Sequence, residues 1–450
     1  MMRQIFSFTV VIFLHINMIL AQTSGANFLQ HQDQLLIQDR QDETLVSAQV
    51  VDCNAASTGL TSINDLEKKS FTNAWSETWP GGLYPGGSNE MPAAHKLAGM
   101  LVSQQIMPMN TSGNPDEING KVVWLSIGMS NTTAETQRFI PTANNYPNKS
   151  KKLIFVDGAQ GGMTAGIICT PSQSNYNVFW NTVTSRLTNA GVSSAQVQVI
   201  WLKEANPAGT TPIRTYYDSL YIQHKRICHE LKSRFPNARL CYLSSRISGR
   251  YASSTLNPEP YAYYSGWVVK HLIEDQINGD STLIFNGTNT RSPFLLWGPY
   301  LWSDGSTPQS YNPAIALQCP DDFQSDGTHP STQGTQKIAD WMLDFFTHDD
   351  LACSWFFENP PSYCLVSSSS NLHQFTVDIF PNPFKESIQI DADLIRTLEL
   401  STISGIIVYR VSNPGYQIEF GNIPDGLYLC RITDNNGNSY LKKLVKTSGH

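Results

Sequence analysis

Four short segments carry residue types that together can perform acyl chemistry. GMSN (128–131) presents Ser130, DGAQGGMT (157–164) presents Gly161 and Gly162, KEANP (203–207) presents Asn206, and SDGTHPS (325–331) presents Asp326 and His329. A serine hydroxyl is a weak nucleophile until a neighbouring imidazole takes its proton. The imidazole needs a carboxylate or carbonyl to fix its tautomer and stabilise the imidazolium. The tetrahedral intermediate needs preorganised donors around its oxyanion. Ser130 as nucleophile, His329 as general base and Asp326 as orienting acid suit the first two needs. The N–H of Ser130, the N–H of Gly162 and the side-chain amide of Asn206 suit the third. Each residue also has an ordinary use: a serine after a strand caps a helix, and a glycine pair or an asparagine before Pro207 makes a turn.

What separates the two readings is the set of elements that must position these segments. VVWLSI (122–127), LIFVD (153–157), VQVIWL (197–202), RLCYLS (239–244) and PFLLWG (293–298) are short apolar runs, which read as strands buried on both faces. Helical patterns lie between and after them. Residues 214–235 place Tyr217, Leu220, Tyr221, Ile227, Cys228, Leu231 and Phe235 on one stripe, and residues 332–346 do so with Ile338, Trp341, Met342, Phe345 and Phe346. Strand–helix alternation predicts parallel strands with right-handed crossovers. The predicted fold class is therefore α/β, a three-layer α/β/α sandwich with about five parallel strands. Ligands of such sheets bind at the carboxyl ends of the strands, where all four segments fall.

The same segments resemble the blocks of the SGNH (GDSL-like) hydrolase superfamily, over about residues 120–347. GMSN is similar to the nucleophile block, DGAQGGMT to the glycine block, EAN to the asparagine block, and DGTHPS to the closing Asp-x-x-His block. Met129 stands where the family usually has Asp, and KEANP lacks the Asp that often follows the asparagine. The resemblance implies a flavodoxin-like core, Ser130, Asp326 and His329 as catalytic residues, and Ser130, Gly162 and Asn206 as the oxyanion hole. The wider phrases YPGGSNEMP, LSIGMSNTTAE, SSRISGRY, NPEPYAYYSG and WGPYLWSDG resemble a group of exported bacterial proteins with this core. The function expected is an exported serine esterase acting on ester bonds, with an acylated glycan as substrate. The alternatives are a non-catalytic glycan-binding protein on the same scaffold and an O-acyltransferase. Trp297, Tyr300, Trp302 and Arg246 are candidate substrate-cleft residues, the rings for sugar faces and the arginine for an acidic group; a surface ion pair is the other use of Arg246 and Arg250.

Composition agrees with export. Charged residues are 15% of 450 and the formal net charge is −7, whereas a nucleic-acid partner calls for a basic excess. Hydrophobic residues are 40%, enough for real cores. Residues 1–21, with Arg3 ahead of an apolar run, read as a signal peptide, and no later stretch reaches membrane-spanning length. Residues 22–50 are a polar leader, 51–358 the hydrolase-like domain with an N-terminal extension, 359–373 a linker containing SSSS, and 374–450 a small β-sandwich of short alternating runs separated by PNP, NPG, PDG and NNGN turns. FTVDIFPNPFKESIQI, GLYLCRIT and YLKKLVK make the last segment resemble the type A C-terminal sorting domain of the type IX secretion system. That implies the secretion machinery as a partner and a secreted or cell-surface location. Export permits disulfides; Cys353 and Cys364 can close a small loop, and the pairing of the eight cysteines stays open. No metal or organic cofactor is expected: there is no CxxC pair, and His224 and His229 are five apart on a helix where a metal-binding helix has two histidines four apart.

Overall fold

Ser70–Thr72 (β1) and Thr78–Pro80 (β2) pair as a small antiparallel ribbon, followed by helix α1 (Ala93–Ser103). The alternation then begins: β3 (Val122–Gly128), α2 (Ser130–Asn144), β4 (Leu153–Asp157), α3 (Ala165–Ile168), α4 (Tyr176–Asn189), β5 (Val197–Lys203), α5 (Ile213–Arg234), β6 (Leu240–Leu243), α6 (Tyr261–Ile277), β7 (Phe294–Trp297) and α7 (Thr332–His348). The computed structural model describes residues 51–362, 364, 379–390, 395–402, 406–434 and 439–448. The expected signal peptide, the polar leader and residues 365–373 of the expected linker lie outside the described residues.

Strands β3 to β7 form one parallel sheet in the order β4-β3-β5-β6-β7. Chain order reverses once, between β3 and β5, and such a reversal opens a crevice at the carboxyl ends of those strands. Strands β3, β5, β6 and β7 are buried along their whole length, which is why their sequences are apolar runs rather than alternations. The pleat sends neighbouring side chains to opposite layers. Val123, Leu125 and Ile127 join Leu202, Leu243 and the buried faces of α4, α5 and α6. Val122 and Trp124 join Trp201, Tyr242 and Phe139, Met342 and Phe346 of α2 and α7. Each fully buried side chain of this size contributes roughly 1.5–3 kcal/mol.

Helix α5 buries Tyr216, Leu220, His224, Ile227, Cys228 and Leu231, so Tyr216 occupies the buried stripe and Tyr217 its margin. The aromatic segment 257–267 enters α6, where Tyr263, Tyr264 and Trp267 are core residues. The β1–β2 ribbon covers them: Phe71 stacks on Trp267 at 5.2 Å between ring centroids, and Trp79 lies 5.2 Å from the same ring.

The C-terminal strands β8 (Ile379–Phe380), β9 (Ser387–Ile390), β10 (Ile395–Thr402), β11 (Ile407–Ser412), β12 (Gln417–Glu419), β13 (Gly426–Asp434) and β14 (Ser439–Lys446) form two antiparallel sheets, β11-β10-β13-β14 and β12-β9-β8. They close on a separate core of Phe384, Ile388, Leu398, Leu400, Ile418 and Ile432, a small β-sandwich. Disulfides join Cys353 to Cys364 and Cys53 to Cys319, while Cys169, Cys228, Cys241 and Cys430 are buried thiols. Among the described residues, no helix is long and apolar enough to cross a membrane.

Candidate active site

Ser130 is the first residue of α2. Its N–H therefore has no intrahelical partner and sits at the positive end of the helix dipole. Met129 holds the capping position and no side chain caps the helix, so the serine hydroxyl is not spent there. It donates instead to Nε2 of His329 at 2.7 Å. His329 Nδ1–H donates to Asp326 Oδ2 at 2.5 Å. The other carboxylate oxygen accepts the backbone N–H groups of Thr328 and His329, each at 3.0 Å. Burial alone would raise the Asp326 carboxyl, but the bonds from the His329 ring, the His329 N–H and the Thr328 N–H outweigh it and bring it down to about 2. The side chains of His329 and Asp326 remain 22% and 33% exposed and Ser130 is half-buried, so the three groups are open to solvent.

The glycine segment after β4 passes beside the nucleophile. A Cβ on Gly161 would stand 3.8 Å from that of Ser130, and Gly162 has φ +74°, in the left-handed region that glycine enters without strain. The loop is pinned by Gln160 N–H to the Gly128 carbonyl at 2.9 Å. Arg186 Nη1 also donates to the Asp157 and Ala159 carbonyls at 2.9 and 2.7 Å. Asn206 follows β5 at the same edge. Its Oδ1 accepts the Gly166 N–H at 3.1 Å and its Nδ2 donates to Gln223 Oε1 at 2.5 Å. An amide nitrogen has two N–H groups, and one of them is committed to Gln223.

Beneath these loops lies a set of charges that sequence reasoning missed. Lys203, the last residue of β5, donates to both carboxylate oxygens of Glu135 on α2, and neither side chain is exposed. Burial brings Lys203 down to about 8 despite this partner, and burial also pushes Glu204 well above the ordinary carboxyl range. Glu135 and Lys203 stand within a few residues of Ser130 and Asn206, but no spacing rule marks them as partners.

Four expected residues are placed elsewhere. Trp297, Tyr300, Trp302 and Arg246 do not line a surface at Ser130; they are 3%, 5%, 0% and 5% exposed. The polypeptide around residues 60–90 packs over this side of the core and takes up polar atoms of Trp297 and Tyr300. Trp297 Nε1 donates to the Leu83 carbonyl at 2.6 Å, and the Tyr300 hydroxyl accepts the Ile63 N–H at 3.1 Å. Trp302 Nε1 donates to Glu259 at 2.7 Å. Trp297 and Tyr300 reach cavities of 430 and 520 Å³ that contain no residue of the Ser130–His329–Asp326 set. The Arg246 guanidinium is buried, which lowers its pKa, and it lies in the field of Glu135, Tyr216, Glu204 and Asp326. Arg250 is an ion-pair residue, 3.8 Å from Asp304.

Residues 378–447 match the family of secretion system C-terminal sorting domains. That match marks the chain for type IX export, to the cell surface or the medium. No curated protein matches the chain in sequence. Among solved structures, a Bacteroides fragilis protein described as a candidate acylhydrolase overlaps at 12% identity and TM-score 0.30, covering 57% of this chain and 97% of its own. A Streptococcus protein described as a candidate platelet activating factor overlaps at 11% and 0.30, covering 56% and 90%. The periplasmic domain of a Salmonella ser. Paratyphi A lipopolysaccharide acetyltransferase overlaps at 12% and 0.27, covering 57% and 97%. Overlaps at such TM-scores say nothing of the reaction this chain performs.

Proposed function

We propose that this chain is an exported serine esterase of SGNH type. The observation that carries the reading is the continuous hydrogen-bonded series Ser130–His329–Asp326, at 2.7 and 2.5 Å. Ser130 Oγ bonds to the ester carbonyl carbon as its proton passes to His329 Nε2. The oxyanion is held by the N–H of Ser130, the N–H of Gly162 and Asn206 Nδ2. The intermediate collapses, and the alcohol leaves with the proton from His329. Water then attacks the acyl-serine, gives its proton to His329, and releases the acid as Ser130 is restored. Export makes an acylated extracellular glycan the substrate class of choice; the buried aromatics give it no support. A non-catalytic glycan-binding scaffold has no use for an imidazole within hydrogen-bond reach of a half-buried serine. Transfer of the acyl group to a sugar would use the same residues, and product analysis separates it from hydrolysis.

The test is labelling of the full chain with a fluorophosphonate, mapping of the modified residue, and hydrolysis of acetyl and short-acyl p-nitrophenyl esters. Modification at Ser130 and turnover abolished in Ser130→Ala are expected. Equal background hydrolysis by wild type and Ser130→Ala, with no label at Ser130, overturns the reading.

A further inference from the structure

The loop that follows β6 belongs to none of the four segments singled out in the sequence, yet hydrogen bonds tie it to two of them. We propose that Ser253–Asn257 is a positioning strap that sets the Asn206 loop against the Asp326–His329 loop, a role that rests on the esterase reading above. At one end, the Ser253 N–H and hydroxyl both donate to the Asp326 carbonyl, at 2.9 and 3.2 Å. Thr328 Oγ1 donates to the Leu256 carbonyl at 3.2 Å. Gly327, at φ +64°, is pressed so closely on the preceding stretch that an added Cβ would stand 1.8 Å from the Tyr251 carbonyl oxygen. At the other end, the Ala208 N–H donates to the Thr255 carbonyl at 2.9 Å. Asn257 Nδ2 donates to the Asn206 carbonyl, and Asn257 Oδ1 accepts from the Tyr216 hydroxyl at 3.3 Å. Five consecutive residues thus hold both the candidate oxyanion donor and the acid–base pair.

Asn257 is the residue on which the strap turns. It is 2% exposed and has φ +60°, in the left-handed region that asparagine enters more readily than most residues but glycine most readily of all. A purely conformational role would be filled by glycine at least as well. What glycine lacks is the side-chain amide that grips the Asn206 carbonyl. Rotation of that peptide would swing Asn206 Nδ2 relative to Ser130 and His329. Misplacement of a catalytic group by about 1 Å costs on the order of a hundredfold in rate.

The experiment compares p-nitrophenyl acetate hydrolysis by the full-length wild type, Ser130→Ala, Asn257→Gly and Asn257→Asp, with a melting curve for each. The expected result is that Asn257→Gly melts cooperatively, keeps KM within about twofold, and loses about 10- to 100-fold in kcat. Asn257→Asp, which sets a carboxylate oxygen against the Asn206 carbonyl, is expected to lose at least as much. If Asn257→Asp does not fold, Asn257→Gly still decides, because its backbone is unstrained at this φ. A folded Asn257→Gly with kcat within twofold of wild type, while Ser130→Ala is inactive, overturns the strap and leaves the esterase reading intact. Wild type no faster than Ser130→Ala overturns both.

Discussion

Asp326→Asn isolates what the carboxylate does, because the structure dictates how the asparagine must sit. Asp326 Oδ1 accepts two backbone N–H groups, from Thr328 and His329, each at 3.0 Å. In the variant that position keeps the carbonyl oxygen, so the NH₂ group takes the place of Oδ2 and points at His329 Nδ1. An N–H facing Nδ1 forces the proton onto Nε2, which then meets Ser130 Oγ as a donor and can no longer act as base. The expected loss in kcat is on the order of 10³- to 10⁴-fold, with KM little changed. Stability gives an independent reading. The carboxyl is brought from 3.8 to about 2 against the opposing effect of burial, which corresponds to roughly 2 kcal/mol in favour of the ionised form. The side chain is 33% exposed, so screening leaves about 1 kcal/mol, or about 1–2 °C in Tm for a protein of this size. A carboxyl lowered in the folded state stabilises above its unfolded pKa and loses that contribution as pH falls through its folded pKa. The Tm gap between wild type and Asp326→Asn should therefore be full at pH 6 and shrink as pH falls from about 4 toward 2. The assays are ester hydrolysis at neutral pH and melting curves across that range. A kcat within tenfold of wild type, or a Tm gap that widens on acidification, refutes the reasoning.

Asn206→Ala removes one proposed oxyanion donor and should cost on the order of 10²- to 10³-fold in kcat; a loss below threefold in a folded variant removes Asn206 from the proposed oxyanion hole. Lys203→Met leaves Glu135 buried without its partner and should destabilise the protein by about 3–5 kcal/mol in urea unfolding. The double variant Lys203→Met/Glu135→Leu should recover much of that loss, and no recovery would argue against an unpaired charge as the cause. Cys53→Ser/Cys319→Ser opens a link across 266 residues, for which chain entropy assigns about 5–6 kcal/mol; a melting temperature unchanged from wild type would show that the link constrains nothing in the unfolded chain.

The parts of this molecule that can be read from its sequence are those in which residue type alone carries the information. Strands β3, β5, β6 and β7 are buried along their whole length and β4 over most of its own, so their apolar runs announce all five within a residue or two of their ends. The candidate triad is visible for the same reason: Ser130 follows such a run at once, and Asp326 and His329 stand just ahead of the stripe that becomes α7. The aromatic cleft expected from Trp297, Tyr300 and Trp302 fails because indole and phenol rings serve core and cleft alike. What buries these three is contact with residues such as Ile63, Leu83 and Glu259, and no local pattern in WGPYLWSDG records those contacts. The strap is hidden for a deeper reason. Most of its bonds end on backbone groups, the carbonyls of Asp326, Leu256, Thr255 and Asn206 and the N–H groups of Ser253 and Ala208, and every residue but proline offers both. Only Asn257 leaves a trace, as a buried asparagine in a conformation that favours glycine, and its meaning emerges only once the fold has brought Asn206 to it. Motifs therefore point to the candidate reacting groups, while the groups that hold them in register become visible only in the fold.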